Sequence, residues 1–199
     1  MKKIIWMFML SLTMFSNAFA DSETLPKPEV MDEEKIFITT SLSRYNTVVV
    51  RDFSTTGAEY MNLDDEEKKI VNEIKPTIVK NMTESIVNHL KKEGKFANVY
   101  ANRAARGNAI IVKGKFTRFN GGVGAAKFFL GFMSPKSGKT NIAISGELID
   151  AKSGKVLASF VDIRSGGEGG SLGRIRGVMP VQATDEGEVI AEFITKLAK

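Results

Sequence analysis

Five stretches of the chain combine apolar and β-branched residues in patterns that predict β-strands. Val48-Val49-Val50 lies at the centre of the first stretch, and a continuous β-branched run suits a strand in the interior of a sheet. The last two stretches are separated by a turn in which Gly154 can adopt positive φ, so we expect them to pair antiparallel. The predicted strands are residues 45–53, 96–100, 109–119, 140–150 and 156–163.

Strict alternation assigns the side chains of the strand over 109–119 to two faces. Phe119 falls on one face together with Ile111, whereas Phe116 falls on the other face together with Val112. The two phenylalanines are therefore predicted to point to opposite sides of the sheet.

A long amphipathic helix is predicted over residues 66–92, because apolar residues recur there every four positions. The acidic run 64–67 lies where negative charge favours the positive start of a helix. Pro76 is expected either to kink the helix or to mark the first turn of a separate one. Gly94 is placed to end it. The apolar stripe consists of Ile70, Ile74, Ile78, Met82, Ile86 and Leu90.

A second helix is predicted over residues 184–199, at the end of the sequence. Asp185 and Glu188 have the spacing of a capping box at its start. Its buried face is predicted to consist of Val189, Ile190, Phe193, Ile194 and Leu197.

The order of these elements is one strand, a long helix, several strands and a last helix. This order favours an α+β fold in which the two helices pack on one face of a largely antiparallel or mixed sheet. We predict a single domain over residues 44–199, preceded by a linker over 21–43 whose Pro26 and Pro28 disfavour helix. Within the linker, Ile36-Phe37-Ile38 is expected to form an edge strand, a docking segment or a partly ordered tail.

The first twenty residues have the three parts of a secretory signal peptide. Lys2 and Lys3 precede an apolar run over residues 4–15, and Ala18 and Ala20 have the spacing that signal peptidase reads. The run is short against the roughly 20 residues that span a bilayer, which argues against a retained membrane anchor. We predict cleavage after Ala20 and a periplasmic protein that is not lipidated, because the chain has no cysteine to acylate.

Composition changes this picture in two ways. The formal net charge of +5 falls to +3 when Lys2 and Lys3 are removed, and charges of both signs are interspersed along the rest of the chain. A mixed surface of this kind predicts no nucleic-acid partner. Because there is no cysteine, the exported domain must be held by its apolar core rather than by disulfides.

Candidate chemistry is sparse. His89 is the single histidine, and one histidine cannot supply a zinc site, so a solvent-facing or helix-capping role is favoured. Gly138-Lys139-Thr140 resembles the end of a phosphate-binding loop, but Met133 stands where that motif needs its first glycine. We therefore predict a protein that is not an enzyme and that binds no metal and no cofactor. An active site built only from Asp, Glu, Lys, Arg and Tyr is the remaining enzymatic alternative.

A glycine-flanked aromatic segment over residues 123–133 is the first candidate interaction surface. Three roles are open for it: a plug in the core, insertion into a bilayer surface, or an anchor for a partner protein. Its aromatic residues are Phe128, Phe129 and Phe132.

A glycine-rich segment over residues 164–180 is the second candidate surface and is predicted to be a loop. Such a loop can fold onto a partner or an anionic envelope polymer, and a disordered solvated loop is the alternative. Its basic residues are Arg164, Arg174 and Arg176.

Several short motifs of the chain together resemble the DUF4410 family. The resemblance covers about residues 44–198 and implies a small exported bacterial protein without an assigned activity, so it supplies no catalytic residues. Many members look like lipoproteins, and this chain departs from them by lacking the acylated cysteine. The motifs are Val48-Val49-Val50-Arg51-Asp52-Phe53, Lys113-Gly114-Lys115-Phe116-Thr117-Arg118-Phe119 and Asp150-Ala151-Lys152-Ser153-Gly154-Lys155-Val156.

A more distant similarity to the αβ modules of curli-secretion and Tol-type accessory proteins implies a role in envelope scaffolding. Together these observations predict a noncatalytic accessory or interaction protein of the periplasm or cell envelope with a protein partner. The alternative is a peripheral membrane or lipid-binding protein that uses the aromatic segment 123–133.

Overall fold

A computed structural model describes residues 28–122, 139–168 and 172–199, and within these ranges all side chains except those of 167–168 and 172–174. The predicted signal peptide and the aromatic segment 123–133 lie outside the described residues. The strands are β1 (Glu33–Ile36), β2 (Thr47–Val50), β3 (Glu59–Met61), β4 (Asn98–Ala101), β5 (Ala109–Asn120), β6 (Lys139–Asp150) and β7 (Val156–Glu168). The helices are α1 (Asp65–Glu93) and α2 (Leu172–Leu197), and a short 3-10 turn spans Leu42–Arg44.

The described strands form one mixed sheet in the order β1-β7-β6-β5-β2-β4, with β3 paired to the far end of β5. The strands β5, β6, β7 and β1 pair antiparallel, whereas β2 runs parallel to both of its neighbours. Both helices lie on the same face, where α1 packs against β2 and β4 and α2 packs against β6 and β7. The predicted α+β architecture is confirmed.

The start and end of α1 follow from local capping. Asp64 accepts a hydrogen bond from the backbone N–H of Glu67, and the Glu67 carboxylate accepts one from the backbone N–H of Asp64. Gly94 ends the helix with a φ of 67°. Pro76 lies inside this continuous helix, so the alternative of two separate helices is wrong.

The second helix begins earlier than predicted. It starts at Leu172, so Asp185 and Glu188 lie inside it and the predicted capping box does not form. The segment 164–180 is likewise not a loop, because its ends belong to β7 and to α2. Its glycines suggested a loop because glycine is unfavourable inside regular elements, but packing outweighs that local preference here.

The two helices approach each other closely where Ser85 of α1 meets Gly187 of α2. A Cβ atom at Gly187 would lie 2.6 Å from the Cβ atom of Ser85. The Ser85 hydroxyl donates a hydrogen bond of 2.7 Å to the backbone carbonyl of Thr184. A glycine at this position thus lets the helices pack together over the sheet.

A β-bulge corrects the predicted faces of β5. The register with β6 shifts between Phe116 and Arg118, which places one extra residue on β5. Phe119 therefore joins Phe116 in the core, and the two rings stack with centroids 5.4 Å apart. Strict alternation failed because a bulge changes the phase of the pleat without a clear signal in the residue pattern.

The segment predicted as a linker contributes to the sheet. β1 pairs antiparallel with β7, so the edge-strand alternative for this region is confirmed and the folded unit includes residues before 44. Ile36 and Ile38 pack against the core, whereas Phe37 is 51% exposed.

Candidate functional site

The face of the sheet opposite the helices carries a concavity lined by residues of the long strands. A groove of about 500 Å³ runs across β1, β7, β6 and β5. We call this concavity the open-face groove. Its polar side chains come from positions that alternate with the buried ones on each strand, which is why they share this face. They include Lys35, Lys113, Lys115, Ser145, Glu147 and Ser159.

Two glycines make the floor of the open-face groove from main chain. Gly114 and Gly146 are register partners on β5 and β6. A Cβ atom at Gly114 would overlap the ring of Phe53, and one at Gly146 would overlap the ring of Phe160. Both rings are buried on the helix side of the sheet. The Cβ positions of both glycines point to the helix side, so the glycines make room for these rings, and the open face at these two positions is main chain.

The charges of the open-face groove are unevenly matched. Lys113 pairs with Glu147 at 3.4 Å. The Glu34 carboxylate is engaged by the backbone N–H groups that precede it, including Val30 at 2.6 Å. Lys35 and Lys115 form no ion pair with another residue in the described part of the chain. Glu33 also lines the groove and forms no ion pair with another described residue, so the groove presents two available positive charges and one available negative charge.

A second polar cluster is buried between β7 and α2. Asp162 is 2% exposed and Glu186 is fully buried. Arg164 lies between them, with Nη2 at 2.7 Å from Asp162 Oδ2 and Nε at 3.1 Å from Glu186 Oε2. We call these three residues the buried carboxyl cluster. One arginine thus faces two carboxyl groups.

The excess carboxyl group is neutralised by a proton. Burial raises the pKa of Glu186 to about 9, and the neighbouring Asp162 adds to this rise by charge repulsion and by a hydrogen bond to the protonated form. Arg164 opposes the shift but does not cancel it. Among the described residues, Glu186 Oε1 and Asp162 Oδ2 have no hydrogen-bond partner of good geometry, and one proton between them satisfies both atoms.

The buried carboxyl cluster also holds the strand at the sheet edge. Asp162 Oδ1 accepts a hydrogen bond of 2.9 Å from the backbone N–H of Asp32, just before β1. The Asp32 carboxylate in turn accepts one of 3.1 Å from the backbone N–H of Ile163. These reciprocal bonds tie the start of β1 to β7.

The structure separates the basic residues that the sequence grouped as one surface. Arg164 belongs to the buried carboxyl cluster, whereas Arg176 lies on α2 and pairs with Glu73 of α1 at 2.6 Å. The backbone of Arg174 lies in α2, and its side chain lies outside the described part of the chain. Phe128, Phe129 and Phe132 also lie outside it, so the roles predicted for them stay predictions.

His89 lies between the two helices at their surface. Its Nε2 atom is 3.1 Å from Glu188 Oε1 on α2, and Nδ1 is 2.9 Å from the backbone carbonyl of Ser85. No group of three or more His, Cys, Asp or Glu side chains converges on a metal-sized site within residues 28–122, 139–168 and 172–199. Across the same ranges, no helix is both long and apolar enough to cross a bilayer.

The sequence reasoning missed the open-face groove and the buried carboxyl cluster. Glu186 could have been found, because it lies four positions before Ile190 on the apolar stripe of α2. Asp162 lies two positions after Phe160 and so shares its buried face. A carboxyl group on each of two buried faces is a signal of a buried polar contact.

Comparison with known proteins gives one match to a family and several to solved structures. The model of the family described as "Domain of unknown function (DUF4410)" matches residues 48–170. No curated protein matches the chain. The chain is similar to a PelC dodecamer structure from Paraburkholderia phytofirmans, with 18% identity over 80% of this chain and 97% of that chain and a TM-score of 0.47. It is also similar to a DUF330 protein from Xanthomonas campestris, with 10% identity over 79% of this chain and 89% of that one and a TM-score of 0.43.

Proposed function

Given that the chain belongs to the DUF4410 family, for which no molecular activity is described, we propose that it is a noncatalytic interaction protein of the bacterial cell envelope. It is exported with cleavage after Ala20, is not lipidated, and binds an acidic segment of a partner protein in the open-face groove. The observation that carries this proposal is the one-sided fold, in which both helices cover one face of the sheet and the groove lies on the other.

Charge complementarity selects an acidic partner segment. Glu34 and Glu147 are engaged, whereas Lys35, Lys115 and Glu33 remain available, so the unpaired charges of the groove sum to a net positive charge. These two lysines come from β1 and from β5, so they stand at opposite sides of the groove. A segment with carboxylates on both sides of its backbone would contact both.

The floor of the groove suits main chain rather than a bulky side chain. Gly114 and Gly146 project nothing into it, and the hydroxyls of Ser145 and Ser159 flank them. Hydroxyl groups both donate and accept hydrogen bonds, so they can bind the polar groups of an extended peptide. This lining supports a peptide ligand over an apolar one.

Two of the three acids that line the groove are engaged, which also supports a noncatalytic role. Glu147 is paired with Lys113, and Glu34 accepts three backbone hydrogen bonds. Neither carboxylate is free to act as a general base toward a molecule in the groove.

A peptide-binding measurement tests the proposal. The probe is a fluorescent peptide of about ten alternating Glu and Thr residues, long enough to cross several strands. We expect it to bind the mature protein, whereas the same peptide with Lys in place of Glu should not. The variant Lys35→Glu/Lys115→Glu should weaken binding roughly tenfold, since two partly exposed ion pairs of up to about 1 kcal/mol each become repulsive.

A matched control separates groove contacts from net charge. Lys69→Glu/Lys152→Glu makes the same charge change at exposed positions of α1 and of the β6–β7 turn. It should bind the acidic peptide like the wild type apart from a small salt-dependent change. Equal losses in the two variants, or no binding by the wild type, would reject the groove as the binding site.

The exported location has its own test. Mass spectrometry of the protein purified from a periplasmic extract should give an amino terminus at Asp21. An intact Met1 in a membrane fraction would contradict the proposed release.

A further inference from the structure

Within the described ranges, the main strand order ends in two strands that leave main-chain groups unpaired, and β3 also has a single neighbour, β5. β1 and β4 are the outermost strands, each with one neighbour among the described residues. Phe37 N–H bonds to Leu157 O, and Asn98 N–H bonds to Asn46 O, so these residues face inward. The direction of the main-chain N–H and C=O groups alternates along a strand. These groups therefore point outward at Glu34 and Ile36 on one edge and at Val99 and Ala101 on the other.

The two edges carry opposite charge. Residues 29–35, around β1, contain four acids and one lysine: Glu29, Asp32, Glu33, Glu34 and Lys35. Residues 91–106, around β4, contain five basic residues and one acid: Lys91, Lys92, Lys95, Arg103, Arg106 and Glu93. Acidic and basic residues that are interspersed along the sequence thus lie at different ends of the sheet, the acidic ones around β1 and the basic ones around β4.

Each edge also presents one aromatic ring beside its charges. Phe37, directly after β1, is 51% exposed. On β4, the Arg103 guanidinium lies over the ring of Tyr100 at 4.5 Å from its centroid. Edge strands that must stay unpaired are commonly protected by like charges and bulges, and an exposed ring is the opposite of such protection.

We propose that copies of this chain associate head to tail, with the β1 edge of one copy pairing with the β4 edge of the next. Pairing β1 with β1 would bring two acidic edges together, and pairing β4 with β4 would bring two basic ones together. Only the heterologous arrangement opposes unlike charges, and like charges directly opposite each other disfavour a strand pair. The inference uses the sheet edges and does not rest on the role of the open-face groove.

The strand directions and faces fit such a junction. Three antiparallel steps separate β1 from β5, and parallel steps lead from β5 to β4, so β1 and β4 run in opposite directions. Copies that keep their helices on the same side therefore join antiparallel. Ile36 and Val99 both pack toward the helix side. When the outward main-chain groups of the two edges form hydrogen bonds, the helices of both copies therefore lie on the same side of the joined sheet.

One register pairs three residues of β1 with three residues of β4 and continues to Phe37 opposite Asn98. It sets Val99 opposite Ile36 of the second copy and Ala101 opposite Glu34 of the second copy. Tyr100 then faces Lys35 of the second copy, and the neighbouring Arg103 comes within reach of Glu33 of that copy. A heterologous contact of this kind repeats, giving a ring if the rotation between copies closes and a filament if it does not.

Charge reversal with mixing tests the association. Glu29→Lys/Glu33→Lys makes both edges basic, and Arg103→Glu/Arg106→Glu removes the net positive charge of the β4 edge and places two acids directly after β4. At low salt, sedimentation should show concentration-dependent oligomers larger than a dimer for the wild-type mature protein and monomers for each variant. An equimolar mixture should again form oligomers larger than a dimer, because both kinds of β1–β4 junction between the two variants oppose unlike charges.

Several outcomes decide the matter. Oligomers of the wild type should dissociate in roughly 1 M salt, where charges are screened beyond about 3 Å. The Lys69→Glu/Lys152→Glu variant is the control for altered net charge and should assemble like the wild type. A wild type that stays monomeric at low salt, or variants that assemble alone as the wild type does, would overturn the proposal. Peptide binding in the open-face groove can succeed or fail independently of either result.

Single cysteines test the register, since the chain has none of its own. Asn98 and Phe37 of the second copy form a non-hydrogen-bonded pair in the proposed register, with Cα atoms about 4.5 Å apart, within the range for a disulfide. Mixing Asn98→Cys with Phe37→Cys under mild oxidation should give a heterodimer. Asn98→Cys mixed with Glu33→Cys is the mismatched control. Crosslinking in the control but not in the matched pair would reject this register.

Discussion

Two groups of paired charges lie on opposite faces of the same part of the sheet. On the helix side, Arg164 faces Asp162 and Glu186, which are almost fully buried. On the open side, Lys113 faces Glu147, and their side chains are 53% and 42% exposed. The contacts are of similar length and the residue types are alike, so the two groups differ chiefly in their access to water.

The difference shows that burial, rather than distance, determines how much free energy of unfolding is lost when an ion pair is broken. A buried charge that loses its partner has no water to replace it, whereas an exposed charge is solvated at once. The buried carboxyl cluster must therefore be complete, down to the proton on Glu186, while the open-face pair can be opened by a ligand. The helix side thus holds the charges whose loss should unfold the protein, and the open side holds the pair that the proposed ligand would meet.

Removing the arginine of the buried carboxyl cluster should have the largest effect. Arg164→Ala leaves Asp162 without its counter-charge, and breaking a buried pair in this way costs about 3–5 kcal/mol. The free energy of unfolding, from urea titration at neutral pH, measures the loss. Arg176→Ala is the matched control, because its pair with Glu73 is more than half exposed on both sides, and should cost at most about 1 kcal/mol. Equal losses would mean that burial does not distinguish the two sites.

The pH dependence of stability should reveal the proton on Glu186. The folded pKa of about 9 lies above the ordinary value of 4.5. The group's favourable contribution is therefore complete below pH 4.5 and is lost as the pH rises toward 9. Between pH 5 and pH 8 the free energy of unfolding should fall by up to about 1.4 kcal/mol per pH unit from this residue.

Glu186→Gln should remove that slope, because an amide has no proton to release and has nearly the same shape. The groups facing this position are Asp162 and Arg164 from β7, with Asp32 bound to the far side of Asp162. They remain in the variant, so any residual slope reports on them. Identical slopes in the wild type and the variant would show that Glu186 is ionised in the folded protein.

The sequence predicted the architecture because its long elements carry strong periodicity. The stripe from Ile70 to Leu90 fixes one face of α1, and Val48-Val49-Val50 marks an inner strand. The start of α2 was missed because Gly177 and Pro180 argue for a loop locally, while the packing of Ile175 and Met179 in the core is visible only in the fold. Local preference failed where tertiary burial opposed it.

The candidate site was less predictable than the fold, and for a different reason. The open-face groove combines side chains from β1, β5, β6 and β7. No local sequence pattern predicts that these distant parts of the chain lie side by side. The opposite charges of the two sheet edges were likewise invisible, since they depend on which strands end the sheet. The surfaces proposed to bind thus depend on strand order rather than on a motif.

Adding a methyl group at Gly146, within the sheet that separates the two faces, should lower the free energy of unfolding by an intermediate amount. Gly146→Ala would place a methyl group against the buried Phe160 ring, which packs edge-on against Phe193 at 5.6 Å between centroids. Overpacking of this kind costs about 1–3 kcal/mol. The change should appear as a lower urea midpoint and altered near-ultraviolet dichroism. Gly154→Ala in the exposed β6–β7 turn is the control: its φ of 72° is strained for alanine, but nothing surrounds it, so the aromatic signal should be unaffected.

Opening the exposed pair should have the smallest effect on stability. Lys113→Ala removes the partner of Glu147 on the open side, and exposed pairs of this kind contribute about 0.2–1 kcal/mol. The urea midpoint should therefore shift only slightly, and less so at high salt.

The freed Glu147 should nevertheless weaken binding of the acidic peptide, because it adds an unpaired negative charge to the open-face groove. Lys113→Ala/Glu147→Ala should restore that binding, since it removes both charges together. A large loss of stability with unchanged peptide binding would reverse the roles assigned to the two faces.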